Sequence, residues 1–379
     1  MRGLLLLSAF GVLSSLAASA AAQNSPQNRE ACFLSEPTYS LTQQVAGCTA
    51  VINAGTAPTD EVVIAYNNRG LAYQKQRQYA RAIADYSQAI RLDPDYAIAY
   101  NNRAFAYQDQ KQFTRAIADY SQVIRLEPEE SGAFYSRGNA YYDQKQYAEA
   151  IADYSEVIRR KPDFAAAFYN RGLSYSGQKQ YDKAIADYDQ AIRLEPDYAA
   201  AFNNRGAAYW SQKQYSEAIA DFDQAIRLKP DYALAFNNRG NAYKDQKQYA
   251  RAIADFDQAI RLKSDYAAAF IDRGNAYRSQ KQYSEAIANF DQAIRLKPDY
   301  ALAFNNRGIV YFRQGKYSRA REDFNQALRL DGSNAGYYYD RGVAELRLGL
   351  SAKGHADIAR AIKMNPKVAA EEAEYGVKP

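Results

Sequence analysis

The strongest constraint on this chain is a period. The stretch Ala199–Tyr232, AAAFNNRGAAYWSQKQYSEAIADFDQAIRLKPDY, recurs with small changes every 34 residues. Copies begin at Val63, Ala97, Ser131, Ala165, Ala199, Ala233, Ala267, Ala301 and Ala335, and together cover 306 of the 379 residues. A period of this length fixes the architecture before any local reading. One unit cannot bury its own apolar face, so the units must stack.

Let columns 1 to 34 number the positions within a copy. In the fifth copy the large apolar columns are 4 (Phe202), 11 (Tyr209), 17 (Tyr215), 24 (Phe222) and 30 (Leu228). The small columns are 8 (Gly206), 20 (Ala218) and 27 (Ala225). Columns 4, 8 and 11 lie one helical turn apart, as do 20, 24 and 27. Each copy therefore reads as two amphipathic helices, A then B. Gln-Lys-Gln at columns 14 to 16 makes the turn between them. Leu228-Lys229-Pro230-Asp231 closes the copy. The proline cannot continue helix B, and the aspartate after it is expected to cap the next helix A.

These columns (Tyr or Phe at 4, Gly at 8, Tyr at 11, Ala at 20, Tyr or Phe at 24, Ala at 27, Pro at 32) resemble the tetratricopeptide repeat family. The resemblance implies an all-α, right-handed superhelical solenoid of antiparallel helix pairs, with nine units over residues 63–368. Departures are few: Ala104 for Gly, Ser264 and Gly332 for Pro, and Glu345, Ser351 and Gly354 in the divergent last copy.

Residues 1–22 read as a secretory signal peptide, with Arg2, an apolar run Leu4–Leu16 and small-residue cleavage sites at Ala18-Ser19-Ala20 and Ala20-Ala21-Ala22. No other apolar run is long enough to span a membrane. Residues 23–62 are expected to form an N-terminal cap. Cys32 and Cys48 fall at columns 4 and 20 of a degenerate zeroth repeat. In an exported chain such a pair favours a disulfide, worth roughly 3 kcal/mol by loop entropy. Thr56–Asp60 reads as a linker and residues 369–379 as a short charged tail. The whole is identified as a member of the bacterial secreted or periplasmic type of the family.

The net charge of +5 is mild and evenly spread, which argues against a nucleic-acid partner. The 34 tyrosines fall mostly on core columns. No reactive constellation stands out. There is one histidine, His355, no metal cluster around it and no phosphate loop. Acidic residues recur with the period, whereas a catalytic pair would be unique. The chain is expected to be no enzyme and to need no cofactor or metal.

Two features recur on the helices. Column 7 is Arg in all nine copies and column 23 is Asp in eight, with Asn289 in the seventh. These columns lie opposite each other in an antiparallel pair, so an intra-repeat salt bridge is expected. Columns 2, 5, 6, 9, 12 and 13 form the other face of helix A, which in the family lines the groove for partner peptides. Asn67, Asn101, Asn203, Asn237 and Asn305 occupy column 5, and Asn68, Asn102, Asn170, Asn204, Asn238 and Asn306 column 6. An asparagine offers donor and acceptor to any peptide backbone. Asn139, Asn241 and Asn275 at column 9, Trp210, Lys244 and Arg278 at column 12, and a drift from acidic to basic along the chain complete the candidate groove. The family's carboxylate clamp is not met, because column 2 lacks lysine and column 6 lacks a basic residue. The reading is a scaffold, periplasmic or secreted, that binds a protein or peptide segment. An alternative is a cell-envelope assembly subunit acting through self-association.

Overall fold

The computed structural model describes residues 25–34 and 38–378. The expected signal peptide lies outside the described residues. Among these residues are 21 helices and no strand. They fall into two compact units that meet in sequence at Leu194 and Glu195.

The first unit opens with a hairpin of α1 (Pro26–Phe33) and α2 (Leu41–Asn53). Four A/B pairs follow: α3 (Thr59–Lys75) with α4 (Tyr79–Leu92), α5 (Ala97–Asp109) with α6 (Phe113–Leu126), α7 (Ser131–Asp143) with α8 (Tyr147–Arg160), and α9 (Ala165–Gly177) with α10 (Tyr181–Leu194). The second unit holds five pairs: α11 (Ala199–Ser211) with α12 (Tyr215–Leu228), α13 (Ala233–Asp245) with α14 (Tyr249–Leu262), α15 (Ala267–Ser279) with α16 (Tyr283–Leu296), α17 (Ala301–Arg313) with α18 (Tyr317–Leu330), and α19 (Ala335–Arg347) with α20 (Ser351–Met364). It ends with α21 (Val368–Glu374).

The two helices of a pair approach closely because column 8 carries no side chain. A Cβ added at Gly138 would stand 2.8 Å from a ring carbon of Tyr154, and one at Gly206 2.8 Å from Phe222. The column 24 ring is fully buried in the copies of both units, as at Tyr86, Tyr120, Phe256 and Phe324. Burial of one such ring contributes roughly 1.5–3 kcal/mol.

The expected salt bridge is present and does more than close one pair. Arg137 grips Asp153 with two bonds, Nε–Oδ2 at 2.8 Å and Nη2–Oδ1 at 2.7 Å. Its remaining Nη1 donates to Ser121 on the B helix of the preceding copy at 3.0 Å. One guanidinium thus ties three helices, and its plane lies over Phe134 one turn before it. In copies 6 to 8 the third partner is an aspartate, as in Arg239 with Asp223 at 2.5 Å, and in the last it is Asn325. Arg273 faces neutral Asn289 at 2.7 Å and keeps a charge partner in Asp257. The seventh copy therefore tolerates asparagine because its neighbour supplies the carboxylate.

Two local expectations are corrected, and the expected inter-helix turn is found with a detail the sequence does not show. The aspartate after proline does not cap helix A. Tyr198, Tyr232, Tyr266 and Tyr300 occupy the N-cap position with no side-chain bond. Each of these rings is partly covered instead. Where column 34 is not aromatic, a side chain does cap: Glu130 accepts from the Gly132 N–H and Asn334 from the Gly336 N–H. The turn lysine at column 15 is left-handed, with φ of 61° at Lys145, and Gly315 and Gly349 take that place in the last two copies. It closes a Schellman turn, with Gln146 N–H donating to Tyr141 O. The linker Thr56–Asp60 is shorter than expected, because α3 starts at Thr59 with Asp60 and Glu61 in its first turn, where they complement the helix dipole.

Cys32 and Cys48 are disulfide-bonded, with Cα atoms 4.5 Å apart. Both are buried with Val51 and Ala65, which joins the terminal hairpin to the first full copy.

The arginine clasp yields a differential expectation. Asp153→Asn leaves Arg137 with neutral partners only, at a cost of about 1–3 kcal/mol. Asp255→Asn leaves Asp223 beside Arg239 and should cost less than half as much. Thermal and urea unfolding of the two variants measures the difference. Equal losses would contradict the three-helix reading.

Candidate functional site

The face of helix A opposite helix B carries the candidate residues. In the first unit the asparagines bond mainly to one another. Asn102 donates to Asn67 Oδ1 of the preceding copy at 2.9 Å, and Asn67 donates to its neighbour Asn68 at 3.4 Å. Asn68 reaches the Cys32 carbonyl at 3.1 Å, tying the ladder to the terminal hairpin. Where column 5 is Tyr135, Asn170 donates to its hydroxyl at 3.0 Å and to Asn139 at 3.0 Å. The same pattern recurs in the second unit. Asn238 donates to Asn203 at 3.0 Å, and Asn203 to Asn204 at 3.2 Å. Asn237 and Asn241 both donate to Asp272, at 3.0 and 2.9 Å, and Lys244 donates to Asn241 at 2.7 Å. Column 5 of one copy is thus stitched to column 6 of the next. Asn67, Asn203, Asn237 and Asn305 are buried by this packing, while most of column 6 stays half-exposed.

Column 24 decides what the rest of this face must do. In the first unit it is tyrosine, and its buried hydroxyl takes a partner from helix A: Gln74 for Tyr86, Gln108 for Tyr120, Asn139 for Tyr154 and Ser176 for Tyr188. In the second unit it is phenylalanine in copies 5 to 8 and Ile358 in the last, and columns 9 and 12 are released. Trp210, 38% exposed, then donates Nε1–H to Asp245 of the next copy at 2.9 Å.

Two parts of the face differ from the rest. In repeats 1 and 2, columns 2 and 9 hold Ile64, Leu71, Ile98 and Phe105, which are 37%, 39%, 51% and 41% exposed. Ile98, Asn101 and Phe105 border a cavity of about 320 Å³ closed by Val123, Glu127 and Glu130. In repeats 8 and 9 the column 9 residues are covered, whereas Leu302 at column 2 stays 41% exposed. Ile309 and Val343 are 2% and 0% exposed, and they belong to one core cluster with Phe312, Tyr339, Val368 and Val377. The residues after 368 are therefore no solvated tail. Their apolar members, Val368 and Val377, are too few and too widely spaced among charges to show periodicity.

The segment also satisfies charge. Arg313 Nε donates to the Tyr375 carbonyl at 2.8 Å, and Arg347 to that of Lys378 at 3.3 Å. The Arg278 guanidinium lies 5.5 Å from the centre of the Tyr375 ring. Arg278 is buried, and burial, reinforced by Arg313, lowers its pKa to about 10. It also donates to Asn306 at 3.4 Å. Asp340 is fully buried beside Asn305 and Glu372, and neither of its oxygens completes a well-aligned hydrogen bond among the described residues. Burial first, and Glu372 second, hold its carboxyl well above the ordinary range. Burial and Glu371 also raise Glu372, against the pull of Asp340 and Arg278. Next to Tyr375 a polar cavity of about 420 Å³ is lined by Lys244, Asn275, Arg278 and Arg313.

Comparison with known proteins agrees with this geometry. A TPR repeat model matches residues 138–179 and 274–315, a tetratricopeptide repeat model residues 169–233, and a second such model residues 63–96, 97–130, 233–266 and 301–334. Together they span most of the chain. It belongs to the tetratricopeptide repeat family. Among solved structures, a tetratricopeptide repeat protein from Parabacteroides merdae superposes with a TM-score of 0.54 at 19% identity, covering 67% of this chain and 98% of that one. A chain of the APC/C hetero-tetramer Cut9-Hcn1 does so with a TM-score of 0.53 at 12% identity, covering 95% of this chain and 86% of that one. At these identities they speak to the fold alone. No curated protein matches. Among the described residues of this tetratricopeptide repeat protein, no helix is long and apolar enough to cross a membrane, and no cluster of His, Cys, Asp or Glu could hold a metal ion.

The buried carboxyl pair predicts a pH dependence. Asp340 and Glu372 bind protons more tightly folded than unfolded. Their contribution is fully present below the ordinary carboxylate value of about 4 and is lost as pH rises through their raised values. Opening of residues 368–378, followed by hydrogen exchange corrected for intrinsic rates, should therefore become easier from pH 5 to pH 8. Asp340→Asn should flatten the profile. Easier opening in acid would contradict it.

Proposed function

We propose that this protein is a non-enzymatic scaffold, exported from the cytoplasm, that holds an extended partner segment across the helix A face. The leader-like first 22 residues and the Cys32–Cys48 disulfide support a periplasmic or secreted location. The observation that carries the binding reading is the exposed set Ile64, Leu71, Ile98 and Phe105. These residues lie at the same two columns of successive A helices, so they form a stripe across the repeats rather than scattered surface. A contiguous apolar stripe rimmed by polar groups is the usual mark of an interaction site.

The rim sets the chemistry. Glu127 and Glu130 border the cavity beside Phe105, and Asp109 and Asp143 stand at column 13. The segment that fits carries an apolar anchor flanked by lysine or arginine. The half-exposed asparagines of column 6 retain hydrogen-bonding capacity beyond their bonds to one another, and supply backbone contacts along the way. Each such bond adds about 0.5–1.5 kcal/mol, so several act together.

Selection of displayed peptides against the full chain tests this. Selected sequences should pair a large apolar residue with adjacent basic ones. Ile98→Asp and Phe105→Asp should each weaken the best peptide by roughly tenfold or more while leaving helicity intact. Trp210→Ala reports separately on the second unit. Peptides that bind equally well to both groove variants would overturn the assignment to repeats 1 and 2.

A further inference from the structure

The last three repeats already hold a peptide, and it is the chain's own. We propose that the helix A face of repeats 7–9 is a second peptide-binding site, that residues 368–378 are its resident ligand, and that it accepts in trans a segment of the same chemistry: acidic, then aromatic, glycine and a small apolar residue. This inference does not depend on the open stripe of repeats 1 and 2.

Three observations carry it. The first is a like-charged pair. At two other junctions column 12 donates to an acceptor at column 13 of the next copy, Gln74 to Asp109 and Trp210 to Asp245. Between copies 7 and 8 these columns are Arg278 and Arg313, two cations, one of them buried. A fold that needed only to stack would gain nothing from that pair. It is stabilised by what the segment brings: the Tyr375 ring over Arg278 and the Tyr375 carbonyl on Arg313. The second is the mode of contact. Arg313 and Arg347 bind main-chain carbonyls, and Val377 is 0% exposed. The captured carbonyls lie in the stretch after the short helix α21 and flank the buried Val377, with Val368 buried at the helix start, and main-chain capture with buried side chains is how a groove holds a peptide. The third is fit. Gly376 has φ +85°, a backbone conformation that favours glycine, and a Cβ there would push against the Arg313 guanidinium at 2.7 Å.

A tethered ligand acts at a millimolar effective concentration and masks its site from a free one by roughly tenfold or more. The full chain carrying Val377→Asp provides the test, with hydrogen exchange to follow residues 368–378 and circular dichroism to follow the repeats. The probe is a fluorescent peptide copy of residues 368–378, read by anisotropy. The variant is expected to keep its helicity, to lose protection in the segment and to bind the probe at least about tenfold more tightly than the wild-type chain does. Adding Arg313→Gln to Val377→Asp should remove that gain. Three outcomes overturn the proposal: a released segment with no gain in probe binding, a segment that stays protected despite the buried aspartate, or loss of the helical repeats, which would make the segment a structural closure rather than a ligand.

Discussion

Everything in this chain depends on how closely helix A can approach the ring at column 24. A glycine or alanine at column 8 admits the ring, and the ring then fills the pair. The approach also fixes the distance at which the column 7 guanidinium spans to column 23. From there its third nitrogen reaches back to the preceding helix B, as Arg137 does to Ser121 and Arg239 to Asp223. Packing sets the spacing within a pair, and the arginine fork sets the register between pairs. The fork is planar and rigid, which lysine would not reproduce. Burial of its carboxylate is unfavourable by itself, and desolvation lifts Asp153 and Asp255 above the usual range despite their arginines. The clasp therefore serves geometry more than net stability, as buried ion pairs often do.

With the scaffold held on one side of helix A, the other side is released from structural duty to different degrees. In the first unit the column 24 hydroxyls draw Gln74, Gln108, Asn139 and Ser176 inward. What remains outward is the apolar stripe of columns 2 and 9. In the second unit phenylalanine makes no such demand. There the outward columns carry Trp210 and Lys244, while Arg278 at the same column is buried against Tyr375. One hydroxyl group per repeat thus separates two surfaces of different chemistry built on one backbone.

The period, the helix pairs, the arginine–aspartate contact and the Cys32–Cys48 bond were all legible in the sequence, because each repeats or is paired at fixed spacing. The asparagine columns were legible as a face but not as a network. Spacing shows that Asn67 and Asn102 share a column pattern, yet only coordinates show that one amide donates to the other. The turn at Lys145 hid for a different reason. Lysine is not a residue associated with positive φ, although glycine at 315 and 349 marks the same column. The closing segment was the largest omission. Tyr375 and Val377 fall outside the period, and no spacing in the sequence links them to Ile309, Phe312, Tyr339 and Val343. Column 9 is apolar both where it is covered, at Ile309 and Val343, and where it is open, at Leu71 and Phe105, so the sequence alone does not separate the two cases.

The central claim is that equivalent columns of one repeated face are open at repeats 1 and 2 and occupied by the chain itself at repeats 8 and 9. Carbene footprinting of the free, full-length protein measures this directly, residue by residue. The account predicts heavy labelling of Leu71 and Phe105 and protection of Ile309 and Val343, which occupy the same column 9. Equal labelling of Phe105 and Ile309 would contradict it.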